Sequence, residues 1–130
     1  PARVERLIKL AHDKKVLIIM SNHDFDKTPS QQEIEQRLLE QDQMGADILK
    51  IAVMPQSKQD VLTLMNATLN VSHKSKKPLL TMSMGSLGTI SRIATANVGG
   101  SMSFGMIGEA SAPGQIDVAQ LKQFLKTVQP

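Results

Sequence analysis

The chain has 130 residues, with 15 Lys and Arg against 12 Asp and Glu, for a net charge of +3. That length fits a single domain, 1–130, with a modest core. It contains no Cys, Trp or Tyr and only three Phe. Disulfides, thiolate metal sites and Cys nucleophiles are therefore excluded, and the interleaved aromatic and basic residues of a nucleic-acid surface are missing.

No apolar stretch approaches the roughly 20 residues of a membrane span, and no signal-peptide pattern opens the chain. A soluble, cytoplasmic protein with no membrane or nucleic-acid partner is expected. The sequons at Asn66 and Asn70 then count as chance. The first residue is Pro1 rather than Met, as expected of a fragment or a processed product.

In chain order, Val4, Leu7, Ile8 and Ala11 recur at helical spacing over Ala2–Asp13. The run Val16-Leu17-Ile18-Ile19-Met20 predicts a short buried strand, followed at once by polar Ser21-Asn22-His23-Asp24. Ser30 and Glu33 have capping-box spacing, opening a helix that runs to about Met44 with Gly45 as its stop. The next strand is Asp47-Ile48-Leu49-Lys50-Ile51-Ala52-Val53-Met54. Ser57 caps a helix carrying Val61, Leu62, Leu64, Met65 and Leu69, and 74–77 is a solvated basic turn. Pro78-Leu79-Leu80-Thr81-Met82-Ser83-Met84 predicts a third strand, with a loop at Gly85 and a helix over 89–97. A weaker fourth strand is predicted over 101–105. A loop and a final helix capped by Asp117 complete the chain.

Strands alternating with helices predict an α/β fold with a parallel sheet and right-handed crossovers. Two architectures suit the pattern: a small open doubly wound sheet, or four βα units of a (β/α)8 TIM barrel, whose full length needs about 250 residues. In both, ligands bind at the carboxyl ends of the strands.

Lys50 stands out because it interrupts an apolar strand. A lysine there either reaches solvent from an edge or is buried, with a lowered pKa that makes its amine nucleophilic. Apolar neighbours on both sides indicate a strand buried on both faces, which favours the second reading. His23 is expected just past its strand end. It is either a hydrogen-bonded structural residue or an acid/base facing the same mouth as Lys50. Arg92 is either a solvated helix arginine or a two-pronged carboxylate ligand. Met82 and Met84 share one face of their strand, as core or as pocket lining. His12 and His73 are given no role. No His/Asp/Glu cluster has metal-ligand spacing, and no cofactor is expected.

Ser21-Asn22-His23-Asp24-Phe25, Lys50-Ile51-Ala52-Val53-Met54-Pro55, Thr81-Met82-Ser83-Met84-Gly85, Ile90-Ser91-Arg92 and Ser111-Ala112-Pro113-Gly114-Gln115 together resemble type I 3-dehydroquinate dehydratase. The resemblance covers the whole chain but only the C-terminal half of that family's chain. It implies a TIM barrel, normally dimeric, that converts 3-dehydroquinate to 3-dehydroshikimate in the shikimate pathway through a lysine Schiff base, without metal or cofactor. By resemblance Lys50 forms the imine and His23 moves the protons. Arg92, Ser111 and Gln115 take the substrate carboxylate and neighbouring oxygens, the loop 111–115 acts as a lid, and Met82 and Met84 pack on the ring.

The family's N-terminal half supplies a Glu that orients the histidine and an Arg for substrate hydroxyls, which no residue here matches. A partner is therefore expected: a second copy in a homo-oligomer, or a complementing N-terminal half-barrel. The alternatives are a catalytically incomplete half-barrel that self-associates, and another Schiff-base lyase or aldolase on the same fold.

Overall fold

The alternating pattern becomes a parallel sheet with helices packed against it in a computed structural model that describes residues 2–128. The elements are α1 (Ala2–Asp13), β1 (Ile19–Asp24), α2 (Gln31–Gln43), β2 (Ile48–Val53), α3 (Lys58–Lys74), β3 (Leu79–Ser83), α4 (Ser91–Ala94), a 3-10 turn (Thr95–Asn97), β4 (Gly105–Met106), β5 (Ile116–Asp117) and α5 (Val118–Val128). β2 is central, with β1 on one side and β3 on the other, both parallel to it. Each parallel step is carried by one helix, since parallel strands need a crossover rather than a hairpin.

The caps act locally. Ser30 Oγ accepts from the Glu33 N–H at 3.2 Å, and Ser57 Oγ from the Asp60 N–H at 3.3 Å, which satisfies one orphan donor at each helix start. Glu33 does not close the reciprocal half of the box; its carboxylate accepts from Arg37 Nη2 at 2.6 Å instead. Gly45, at φ +96°, ends α2 where an L side chain would be strained.

Alternation along β2 divides the core in two. Leu49, Ile51 and Val53 pack with Leu79 beneath Ile34 and Leu38 of α2 and Leu64, Ala67 and Val71 of α3. Ala52, Leu80, Met82 and Met84 form a separate cluster on the opposite face, with Ile48 and Met54 at its margin. Each fully buried Leu, Ile or Val contributes about 1.5–3 kcal/mol, so the helix-covered face dominates stability.

Three expectations change. The first strand is Ile19–Asp24 rather than 16–20, because register decides its limits. The Ile48 N–H bonds Ile18 O, and from there Ile19↔Ile48 to Asp24↔Val53 pair in step. Val16 and Leu17 remain 53% and 71% exposed. The expected fourth strand, 101–105, does not join the sheet. Ser101 is stitched to the start of β3 through its N–H to Leu79 O at 2.7 Å and its Oγ from the Leu79 N–H at 3.0 Å. The strand that follows, β4, pairs with β5 instead. The helix expected over 89–97 is one α-turn and a 3-10 turn. There the hydroxyls of Ser91 and Thr95 donate to the carbonyls of Gly88 and Ser91 at 2.6 and 2.7 Å, a local competition that shortens helices.

The other end of the sheet is tied by Asp47. Its Oδ2 accepts from the Ile18 N–H at 2.7 Å and from His12 Nε2 at 2.8 Å, joining α1, the entry to β1 and the entry to β2. The Ile18 N–H and then His12 hold the Asp47 carboxyl below its ordinary pKa. A carboxyl depressed in the folded state stabilises it above the unfolded pKa, and the contribution disappears as pH falls through the folded value. Asp47→Ala is expected to lower the urea midpoint at pH 7, with the gap to the parent closing once the pH falls below the ordinary carboxylate range. A gap that stayed constant down to that acid range would rule the charged form out.

Candidate active site

Residues paired in register across a parallel sheet share a face. Lys50 pairs with Ser21 of β1 and Leu80 of β3, and Ala52, the next residue on that face of β2, pairs with His23 and Met82. Lys50 and His23 therefore project from the same face of adjacent strands, one level apart, opposite the helix-covered face. His23 belongs to β1 itself rather than to the loop after it, and its pairing with Ala52 gives it a fixed height relative to Lys50.

Lys50 is partly buried, and desolvation holds its pKa below the ordinary lysine value. Its Nζ lies 4.6 Å from the centroid of the Phe104 ring. Behind the strand, Gln41 of α2 binds the Lys50 backbone on both sides. Oε1 accepts from its N–H and Nε2 donates to its C=O, each at 2.9 Å. Gln41 is buried, and its amide replaces an apolar group on the stripe begun by Ile34 and Leu38. Sequence reasoning missed both residues. The signal for Gln41 was a polar residue three places after Leu38 and seven after Ile34, and Phe104 was hidden inside an expected strand.

His23 is exposed and stacks on Phe25, with ring centroids 5.8 Å apart and planes within 8°. Desolvation first, and then the charge of Lys50, lower its pKa. Its neighbours turn to the other face. Asn22 Oδ1 accepts from Arg37 Nη1 at 2.9 Å, and Asp24 Oδ1 accepts from the N–H groups of Asp26 and Lys27 at 3.0 Å.

Met82 and Met84 are buried on the inward face. Arg92, 1% exposed, reaches the same end of β3, where Nη1 lies 3.6 Å from Met82 Sδ and Nη2 donates to Pro113 O at 3.0 Å. Its Nε has no partner, and desolvation lowers its pKa. Pro113 O also accepts from the Gly85 N–H at 3.1 Å. Gly114, at φ +78°, lies against the Gly85 backbone with no room for a Cβ. The loop after β4 is thus fastened over the end of β3. Ser111 and Gln115 bond each other: Gln115 Oε1 accepts from the Ser111 N–H at 2.7 Å, and Nε2 donates to Ser111 Oγ at 2.9 Å.

The face thus combines an amine of lowered basicity, an imidazole and a methionine floor, with a buried guanidinium and a hydroxyl–amide pair at the β3 end. An amine that loses its proton readily can condense with a carbonyl, and a nearby imidazole can transfer the protons. Among the described residues no group of three His, Cys, Asp or Glu is placed to hold a metal ion.

A family model described as type I 3-dehydroquinase matches residues 1–130. The catabolic 3-dehydroquinate dehydratase of Acinetobacter baylyi is 83% identical over 129 residues, covering 99% of this chain and 47% of that protein. Among solved structures, the 3-dehydroquinate dehydratase of Geobacillus kaustophilus superposes with a TM-score of 0.94 at 35% identity, over 97% of this chain and 49% of the other. The type I enzyme of Clostridium difficile, solved with covalently modified comenic acid, gives 0.91 at 42% identity, over 96% and 50%. The chain spans about half the length of the relatives it matches, and its βα units correspond to half of their (β/α)8 barrel. It belongs to the type I 3-dehydroquinase family.

Proposed function

We propose that this chain carries the imine-forming lysine and the proton-transferring histidine of a 3-dehydroquinate dehydratase. The observation that carries the reading is Lys50, partly desolvated in the sheet, with His23 one level above it on the neighbouring strand. In this mechanism the Lys50 amine adds to the substrate ketone and water leaves, forming an iminium. His23 takes a proton from the adjacent carbon, and the electron pair moves to the nitrogen as an enamine. The enamine then expels the β-hydroxyl, which leaves as water with the proton from His23. Hydrolysis of the remaining iminium frees Lys50 and 3-dehydroshikimate. The iminium acts as an electron sink that lowers the cost of the carbanion-like transition state.

Arg92 supports a carboxylate-bearing substrate. Of its five donors, Nη1 meets only a sulfur, Nη2 a carbonyl and Nε nothing, and a buried cation with such partners gains from a carboxylate. Ser111 and Gln115 are proposed to exchange their mutual hydrogen bonds for substrate oxygens as the loop 111–115 closes. Met82 and Met84 are proposed to form the apolar floor beneath the ring.

The exposed inward side of β1 favours a site shared with further structure. Ile19 is 48% exposed and Phe25 57%, so this flank has no wall of its own. An N-terminal half-barrel or a second copy is proposed to supply it, in a cytoplasmic, dimeric enzyme. A panel of other carbonyl compounds separates this reading from an aldolase on the same scaffold.

Incubation with 3-dehydroquinate and sodium borohydride is expected to add the reduced substrate at Lys50, read by peptide mapping. Lys50→Ala is expected to lose the adduct, and normal turnover by that variant would sink the mechanism. His23→Ala is expected to keep the adduct but eliminate water about 10²–10⁴-fold more slowly, the usual size of a general acid–base contribution. Desolvation favours the neutral amine, so trapping at Lys50 is expected to persist at a pH where exposed lysines are almost fully protonated. Trapping that fell away in parallel with the labelling of exposed lysines would contradict the lowered basicity.

A further inference from the structure

Among the described residues no carboxylate lies within salt-bridge distance of Lys50. The groups facing it are Ser21 and His23 from β1, Leu80 and Met82 from β3, and Phe104 from the segment before β4. The aromatic ring presents negative electrostatic potential to a cation: a π face attracts an ammonium lying within about 6 Å of its centroid. At 4.6 Å the Lys50 nitrogen is inside that limit.

The ring is held from both sides. Three residues upstream, Ser101 is bonded to Leu79 through both its N–H and its hydroxyl. One residue downstream, Gly105 pairs with Ile116. A Cβ at Gly105 would come within 2.8 Å of Val118 Cα, so this glycine lets the strand lie directly on α5. Phe104 thus stands between two anchors although it is 41% exposed itself. A ring anchored in this way restricts the terminal rotations of a four-carbon side chain, whose freedom is otherwise costly to remove.

We propose that Phe104 is a positioning residue for Lys50: its ring face holds the cationic nitrogen, as the ammonium before condensation and as the iminium after it. Its place in turnover rests on Lys50 being the imine-forming amine, whereas the contact itself does not. Opposed effects meet at this nitrogen. Burial disfavours the cation, while the ring favours it. The ring therefore offsets part of the fall in proton affinity that burial causes and directs the nitrogen, which still gives up its proton to add to a carbonyl.

The test replaces Phe104 with 4-fluoro-, 3,5-difluoro- and 3,4,5-trifluorophenylalanine, which nearly preserve its shape while progressively weakening the negative face of the ring. Brief labelling with acetic anhydride across pH, with exposed Lys122 as internal reference, gives the titration midpoint of Lys50. The midpoint is expected to fall stepwise with fluorine number, by about half a pH unit over the series, while Lys122 stays fixed. Superimposed curves, or a rise, overturn the proposal. Phe104→Leu gives an independent sign: a ring that only excludes water would raise the midpoint when removed, whereas loss of the cation–π contact lowers it. A rise in that variant also overturns the proposal. No 3-dehydroquinate enters this measurement, so a failure to trap substrate at Lys50 would defeat the proposed function and leave these curves unchanged.

Discussion

The outer face of β2 fixes everything at the site. Leu49, Ile51 and Val53 are fully buried under α2 and α3, and strand side chains alternate with a period of two. Lys50 therefore has no choice but the opposite face. A slip of one residue would drive its ammonium into the apolar layer beneath Leu38 and Leu64, at a cost of several kcal/mol. The force that sets the register of the sheet is thus the same force that aims the amine. Gln41 adds a second restraint from the helix side, since its amide matches both backbone groups of Lys50. A single buried side chain ties the strand carrying Lys50 to the helix behind it.

The inward face is uneven for a related reason. On the β3 side it is closed by Leu80, Met82 and Met84, all nearly or fully buried. On the β1 side His23 stands exposed, with only Phe25 stacked on it. β1 is an edge of the three-stranded sheet, and an edge strand leaves a row of backbone groups unpaired. The chain spans about half the length of its relatives, and the open flank is where half a barrel would stop. Desolvation is accordingly graded across the face, deepest at Arg92, intermediate at Lys50 and least at His23.

The sequence carried the identity and order of the main elements because their signals are local. The cap serines Ser30 and Ser57, the stop at Gly45 and the cap Asp117 act as their spacing predicts. Apolar periodicity did not locate the ends of β1, because those ends are set by pairing with a strand almost thirty residues away. His23 moved from loop to strand for that reason alone. The same holds for 101–105, where strand-forming residues are diverted by one serine bonded to Leu79 and one glycine pressed on α5. Lys50 was legible as a charge in an apolar run. Phe104 was not, since nothing in its own neighbourhood says that it meets a lysine more than fifty residues earlier.

Three basic side chains, Lys50, His23 and Arg92, serve one end of this sheet, and among the described residues none of them forms a salt bridge with a carboxylate. Such an arrangement is unfavourable for the folded chain, because each cation loses solvation and repels the others. Local contacts offset part of that cost: a ring face for Lys50, a sulfur and a carbonyl for Arg92, a stacked ring for His23. None of these is a strong counter-charge, so each can be exchanged for a better partner at little loss. Desolvation lowers the proton affinity of Lys50 and, with the Lys50 charge added, that of His23, and the excess positive charge favours an anionic ligand. A fold that kept these groups for stability alone would have paired them with carboxylates. Leaving them weakly held costs stability at one end of the sheet, while the outer core behind β2 supplies the rigidity.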